Sequence, residues 1–205
     1  TDPASFSLSQ IGHSSWRDVD QRVALRRLYH SGTTAAHEAG LQAMNAADLI
    51  ESYVTGGYQP QNGAVYPATG FGNYLRVVAQ MIKMQVGLRV ATIDLGGWDT
   101  HDTQGEGAGG YFASHIGQLA QGMAALYRDL DTSAADAPSK RLTIVVQSEF
   151  GRRVRENGDR GTDHGTGNVM LVLGGNVIGG VHGRWPGLAH DQLYDNADLA
   201  PTTDY

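Results

Sequence analysis

The chain has 205 residues, of which 40% are hydrophobic and 18% are charged, and its formal net charge is -6. This composition is typical of a globular domain and excludes a disordered chain. The 15 basic residues are scattered, which excludes the basic face that a nucleic-acid interface needs. No cysteine is present, so a metal site would have to use carboxylate oxygen and imidazole nitrogen. No apolar run approaches the roughly 20 residues that span a bilayer.

Helical patterns dominate the first part of the chain. Residues 16–58 are rich in Ala, Leu, Arg and Glu, and they predict two helices separated near residues 30–34. Four glycines and two prolines in residues 56–70 predict a loop. After this loop, apolar residues at helical spacing predict a third helix, and these residues are Leu75, Val78, Ile82 and Val86. The helix leads into a predicted strand.

Three apolar runs predict buried strands: residues 88–95, 141–149 and 168–175. Between the first two runs, apolar positions step by three or four from Phe112 to Leu130, which predicts an amphipathic helix. Strand, helix and strand in this order form a βαβ unit. The sequence therefore predicts an α/β fold with at least three parallel or mixed strands.

Acidic and imidazole side chains concentrate beside these predicted strands. Asp99 and His101 follow the first strand, Glu149 ends the second, and Asp163 and His164 precede the third. Ligands of open α/β sheets gather outside the carboxyl ends of the strands, so we expect these side chains to lie close together. Residues two apart in an extended segment point the same way, so the first aspartate and histidine can reach one ion together.

Carboxylate and imidazole ligands suit a divalent metal, zinc first, with magnesium, manganese and calcium as alternatives. Each residue also has a plain structural interpretation. Asp99 could cap the loop, His101 could face solvent, and Asp163 could be a turn residue. Glu149 could equally pair with an arginine of the loop that follows it.

Four arginines lie between Gly151 and Asp163, and Arg152 is the nearest to the strand end. A planar guanidinium grips phosphate or sulfate through two parallel hydrogen bonds. We therefore predict that Arg152 binds a small anionic substrate; the alternative is that all four arginines are solvated.

Three ordered stretches, residues 96–104, 148–165 and 174–188, resemble the bacterial family catalogued as domain of unknown function 1501. The resemblance covers residues 70–205, roughly, and links the chain to the alkaline phosphatase and sulfatase superfamily. It implies a doubly wound, mostly parallel sheet flanked by helices, with a metal site at the strand ends. It also implies export through the twin-arginine route to a periplasmic or extracellular location.

The resemblance implies further ligands around the first strand. Alkaline phosphatases carry an acidic residue five positions before a ligand aspartate, which is the spacing of Asp94 and Asp99. Those enzymes place a histidine four residues after the aspartate, where this chain has Thr103 and offers His101 instead. Asp94 therefore joins the predicted metal ligands.

The resemblance also bears on the second and third strands. Glu149 takes the place of the aspartate in the superfamily's Asp-His pair, but Phe150 follows it where the superfamily has the histidine. His164 is similar to the superfamily's last histidine ligand. The nucleophile of the superfamily lies upstream of these motifs, and no residue here is assigned to that role.

We thus expect two parts: residues 1–70, a helical segment with its Gly/Pro-rich loop, and residues 71–205, the C-terminal portion of an alkaline-phosphatase-like domain. The remaining strands are expected from upstream sequence or from another chain. The predicted function is metal-dependent hydrolysis of phosphate or sulfate esters. The alternative is a non-catalytic exported binding or structural module that retains a metal cluster.

Overall fold

A computed structural model describes residues 19–53 and 58–203. These residues group into two compact units. The first unit contains the described residues up to Ile93, together with Arg128–Leu130, and the second contains Asp94–Tyr127 and the described residues from Asp131 onward. Within the described residues, no helix combines the length and apolar character that crossing a membrane requires.

Helices α1 (Val19–His30) and α2 (Ala35–Tyr53) open the first unit and confirm the predicted helix pair. The predicted start at Trp16 lies outside the described residues. Two arginines one turn apart on α1, Arg22 and Arg26, pair with the same carboxylate of α2, Asp48. Met44 and Ala47 of α2 are buried. Ion pairs and apolar packing therefore both hold α1 against α2.

Helix α3 (Gly70–Lys83) confirms the third predicted helix. It begins at Thr69, whose hydroxyl accepts a hydrogen bond from the Gly72 amide at 3.3 Å. Phe71, Leu75 and Ala79, spaced four residues apart, are buried along one side of the helix. Of the residues that predicted the helix, Leu75 is in this buried row, Val78 and Ile82 are half-buried, and Val86 lies beyond the end of α3.

Asp129 is the buried polar centre of the first unit. Its side chain is fully buried, and both carboxylate oxygens accept two hydrogen bonds. The Gln61 amide (2.7 Å) and Lys83 Nζ (2.6 Å) donate to Oδ1. The hydroxyls of Tyr58 (2.6 Å) and Tyr66 (2.7 Å) donate to Oδ2. The carboxylate thus fastens the loop before α3 to α3 itself.

The hydrogen bonds around Asp129 set the ionisation of the whole group. Burial alone would raise the pKa of Asp129, but the bonds from Gln61, Lys83 and the two tyrosines outweigh burial and lower it. Burial and the hydrogen bonds to Asp129 raise the pKa of both Tyr58 and Tyr66. The carboxylate is therefore ionised and both phenols are neutral at neutral pH.

The second unit contains two antiparallel strand pairs. Helix α4 (Tyr111–Leu130), whose last three residues belong to the first unit, confirms the predicted amphipathic helix, and a short helix, α5 (Pro138–Arg141), follows it. Strand β1 (Thr143–Val146) pairs with β4 (Leu171–Gly174). Strand β2 (Gly151–Arg152) pairs with β3 (His164–Gly165). The short β2–β3 ladder carries two of the candidate functional residues.

The strands differ from the sequence-based prediction in two ways. Strands β1 and β4 form where they were predicted, but residues 88–95 form no strand. The β1–β4 pair is antiparallel, and residues 147–170, which connect the two strands, contain no helix. Antiparallel neighbours do not need the helical crossover that parallel strands require. The predicted βαβ unit is therefore not formed by the described residues. A doubly wound sheet, and the domain division after residue 70, stay predictions.

Candidate metal and anion site

Three predicted metal ligands of the second unit come together: Asp99, His101 and His164. Asp99 Oδ1 lies 2.9 Å from His101 Nδ1 and 2.7 Å from His164 Nε2. One ligand atom from each residue lies within 4.8 Å of the other two, and all three residues are exposed. Among the described residues, this is the one such group of three or more acidic and imidazole side chains.

Backbone hydrogen bonds hold together the two loops that carry the cluster, residues 99–104 and 157–164. The amides of Thr103 and Gln104 donate to the carbonyls of residues 159 and 160, at 3.0 and 2.9 Å. The Thr162 amide donates to the Thr100 carbonyl at 3.1 Å. A Cβ atom on Gly161 would lie 2.3 Å from the His101 carbonyl oxygen, so the close approach of the loops requires glycine there.

Arg152 joins the cluster from β2, directly opposite His164 in the ladder. Its NH1 donates to Asp99 Oδ1 at 2.6 Å. Its Nε donates to the Thr162 hydroxyl at 3.0 Å, and its NH2 donates to the Thr162 carbonyl. The side chain is only 18% exposed, while that of Asp99 is 56% exposed. The guanidinium is therefore fixed by β2 and the second loop, and it meets Asp99 from the inner side.

Aromatic contacts orient the imidazole of His164. The Phe150 ring stacks on it at 4.7 Å between centroids, with planes inclined by 18°. The His101 ring is tilted relative to the His164 ring, and the two ring centroids lie 4.9 Å apart. Phe150 also lies 5.7 Å below the Arg152 guanidinium. Phe150 therefore contacts two of the site residues, His164 and Arg152.

The charge of Asp99 is stabilised by its neighbours. The hydrogen bond from His164 has the largest effect and lowers the pKa of Asp99. Burial comes next and raises it, while the bond from Arg152 and the charge of His101 lower it further, so the pKa stays below its usual value. Asp99 is therefore an ionised carboxylate at neutral pH, which is the form that binds a cation.

The turn before Asp99 is anchored on α4. Trp98 Nε1 donates to the Leu95 carbonyl at 2.6 Å, and the Trp98 ring lies 4.4 Å from the His115 ring. His115 Nε2 donates to the Gly96 carbonyl at 2.6 Å, and the Tyr111 hydroxyl to the Gly97 carbonyl at 3.0 Å. The tryptophan and the glycines beside Asp99 therefore fix the start of the site loop.

The other predicted metal ligands lie outside the cluster of three. Asp94 and Glu149 are exposed. Asp163 is adjacent to His164 in sequence, but its carboxylate accepts a hydrogen bond from Asn157 at 3.0 Å. His164 begins strand β3 opposite Arg152, whereas Asp163 precedes the strand and is directed to Asn157 instead of the cluster. The structure thus brings together four of the seven predicted site residues.

Asn157 and Gln104 support the site and were not predicted from the sequence. Asn157 Nδ2 donates to the His101 carbonyl at 2.8 Å, and Oδ1 accepts from the Gly161 amide at 3.0 Å. Gln104 Oε1 accepts from the hydroxyls of Thr100 (2.8 Å) and Thr162 (3.1 Å). The dipeptide Asn157-Gly158 is a turn signal, so a search for loop-shaping residues would have found the asparagine.

The family model described as "Protein of unknown function (DUF1501)" matches residues 15–205, which includes both site loops. The chain belongs to the DUF1501 family. The family resemblance of the sequence motifs is thereby confirmed. No curated protein and no solved structure matches this DUF1501 chain. Twin-arginine export and a relationship to alkaline phosphatases stay predictions.

The DUF1501 cluster has the donor set of a zinc-type site but is slightly contracted. Tetrahedral ligands about 2.0–2.1 Å from zinc lie about 3.3 Å apart, whereas the two imidazole nitrogens lie 2.7 and 2.9 Å from Asp99 Oδ1. An outward shift of each imidazole nitrogen by about 0.5 Å from Asp99 Oδ1 would make room for the ion. The three side chains are exposed, so changes in their rotamers can supply this movement without rearrangement of the strand pairs.

Proposed function

We propose that this DUF1501 protein is a metal-dependent hydrolase of phosphate or sulfate esters. The observation that carries the proposal is the convergence of Asp99, His101 and His164 on one exposed point. Three protein ligands leave a coordination position open, which distinguishes catalytic sites from closed structural ones. Zinc is the ion that fits these ligands best, with manganese, magnesium and calcium as alternatives.

The residues of the site would bind two different groups, the cation and the substrate. Asp99, His101 and His164 would hold the ion, whose Lewis acidity polarises an ester oxygen. Arg152, whose NH1 lies 2.6 Å from Asp99, would hold the anionic oxygens of the substrate beside the ion. Asn157 and Gln104 keep the two loops in place, so the ligands and the arginine stay within reach of one substrate group.

A second candidate function, a non-catalytic exported module, has one observation in its favour. The hydroxyls of Thr100 and Thr162, which lie in the site loops, both donate to Gln104. These hydroxyls hold the loops together, and their acceptor is an amide oxygen, which is not a general base that would activate a nucleophile. In this alternative, the metal cluster stabilises the fold, and the same family resemblance suggests a periplasmic or extracellular location.

Hydrolysis of aryl phosphate and aryl sulfate esters tests the proposal. The assay uses the 205-residue chain with zinc, manganese or magnesium added. Asp99→Asn should lower kcat by about a hundredfold or more, and Arg153→Gln, on the neighbouring residue, should leave it unchanged. Metal binding that raises thermal stability without any turnover would instead support the non-catalytic module.

A further inference from the structure

We propose that Arg152 competes with the divalent cation for Asp99, so that cation and anion bind to this site cooperatively. This inference rests on the proposed function and concerns the order and coupling of binding. Its basis is the position of the guanidinium, which lies on the same carboxylate oxygen that the two imidazoles approach.

Three N–H groups of Arg152 already donate hydrogen bonds within the protein. NH1 donates to Asp99 Oδ1, while Nε and NH2 donate to the hydroxyl and the carbonyl of Thr162. An anion needs the paired N–H groups of the guanidinium edge for a bidentate contact. Three of the five N–H groups of Arg152 are thus in use, and the one that donates to Asp99 becomes available to an anion only when Arg152 leaves Asp99.

Asp99 Oδ1 is crowded by three nitrogen atoms, which lie at 2.6, 2.7 and 2.9 Å. A carboxylate oxygen offers about two lone pairs. A divalent ion held by Asp99, His101 and His164 takes one of them and places positive charge next to the guanidinium, where like charges repel. Cation binding therefore weakens the bond between Arg152 and Asp99.

The released guanidinium would stay beside the site. Its Nε contact with Thr162 and its position over Phe150 do not involve Asp99, so they hold the side chain in place. The freed NH1 group then faces an oxyanion beside the cation. Coupling between two ligands is reciprocal, so an anion that holds Arg152 away from Asp99 must also tighten cation binding.

The competition predicts an effect of opposite sign from a plain stabilising ion pair. Arg152→Gln removes the competitor, so without an anion the variant should bind zinc about two- to fivefold more tightly than the wild type, as expected for an exposed pair. With sulfate at saturation, wild-type zinc affinity should rise by about fivefold or more, whereas that of the variant should not.

Arg153→Gln is the matched control. It removes the same charge one residue away, but Arg153 is 42% exposed and its Nε faces Asp198 at 3.8 Å. A general effect of net charge would act equally in both variants. A direct competition for Asp99 would act in Arg152→Gln and leave Arg153→Gln like the wild type.

The experiment is a zinc titration of the intact protein against a chromophoric chelator, with and without sodium sulfate, for the wild type and both variants. Circular dichroism verifies that each variant is folded. Tighter zinc binding by Arg152→Gln and loss of the sulfate effect support the inference. Equal or weaker zinc binding by this variant, with the control unchanged, overturns the inference alone. Absence of zinc binding by the wild type overturns the proposed function as well.

Discussion

Replacing Asp129 with asparagine probes the buried centre of the first unit. The wild-type carboxylate is fully buried and accepts four hydrogen bonds, two at each oxygen. An asparagine can keep its carbonyl oxygen towards the Gln61 amide and Lys83. Its NH2 group must then face the hydroxyls of Tyr58 and Tyr66, which have to reverse and accept.

The magnitude follows from the loss of charge at these bonds. Hydrogen bonds to a charged group contribute about 1.5–3 kcal/mol and neutral ones about 0.5–1.5, so each bond loses about 1 kcal/mol. Four bonds together lose about 4 kcal/mol, and the 21% exposure of Lys83 lets water offset part of the loss at that bond. We expect Asp129→Asn to lower the free energy of unfolding by about 2–4 kcal/mol.

Urea unfolding followed by far-UV circular dichroism measures this loss. Asp136→Asn is the control, because it makes the same chemical change at an exposed position and should alter the free energy by less than about 0.5 kcal/mol. An Asp129→Asn variant as stable as the control would refute the assignment of Asp129 as a stabilising centre. An unchanged slope of the urea transition would show that the effect is one of stability.

Three further predictions concern the same two regions. Tyr66→Phe removes one hydroxyl from Asp129 and should cost about 1.5 kcal/mol in the same urea assay, and an unchanged midpoint would contradict the hydrogen bond's role. Because the pKa of Asp129 is lowered, its carboxylate stabilises the fold above about pH 4, and this stability is lost as the pH falls further. Because the pKa values of Tyr58 and Tyr66 are raised, their neutral hydroxyls stabilise the fold up to about pH 10, and this stability is lost at higher pH. Thermal unfolding across pH should show both losses, and Asp129→Asn should have a flatter acid limb; an equally steep limb would assign the acid loss to other groups. Gly161→Ala places a Cβ atom 2.3 Å from the His101 carbonyl oxygen and should weaken zinc binding about tenfold or more. Gly158→Ala is the control, because its Cβ atom meets no neighbour within 4 Å, and it should leave zinc binding unchanged. Equal zinc affinities of the two variants would show that loop spacing does not position the ligands.

Periodic segments were the part of the fold that the sequence predicted well. The apolar spacing around Leu75 and along α4 predicts both helices, because helix formation shows itself in residues three or four apart. The run 88–95 looks like a strand by composition, yet a strand exists only where a partner supplies hydrogen bonds. Partner choice depends on residues distant in the chain, which composition does not encode.

The candidate site was predictable where local spacing decides it. Asp99 and His101 are two residues apart, and their convergence follows from backbone geometry. Asn157 was missed because its role depends on contacts to a loop 56 residues away in sequence. Asp129 was missed for the same reason, since its donors lie 46 to 71 residues away.

Metal content tests the central claim, that Asp99, His101 and His164 form a cation site, most directly. The protein is purified without chelator, incubated with zinc, desalted and measured by elemental analysis. The wild type should retain about one zinc ion per chain, and the double variant His101→Ala/His164→Ala should retain none. The double variant His182→Ala/His190→Ala, which removes two exposed histidines elsewhere, should retain zinc like the wild type. Full zinc content in the His101→Ala/His164→Ala protein would contradict the site.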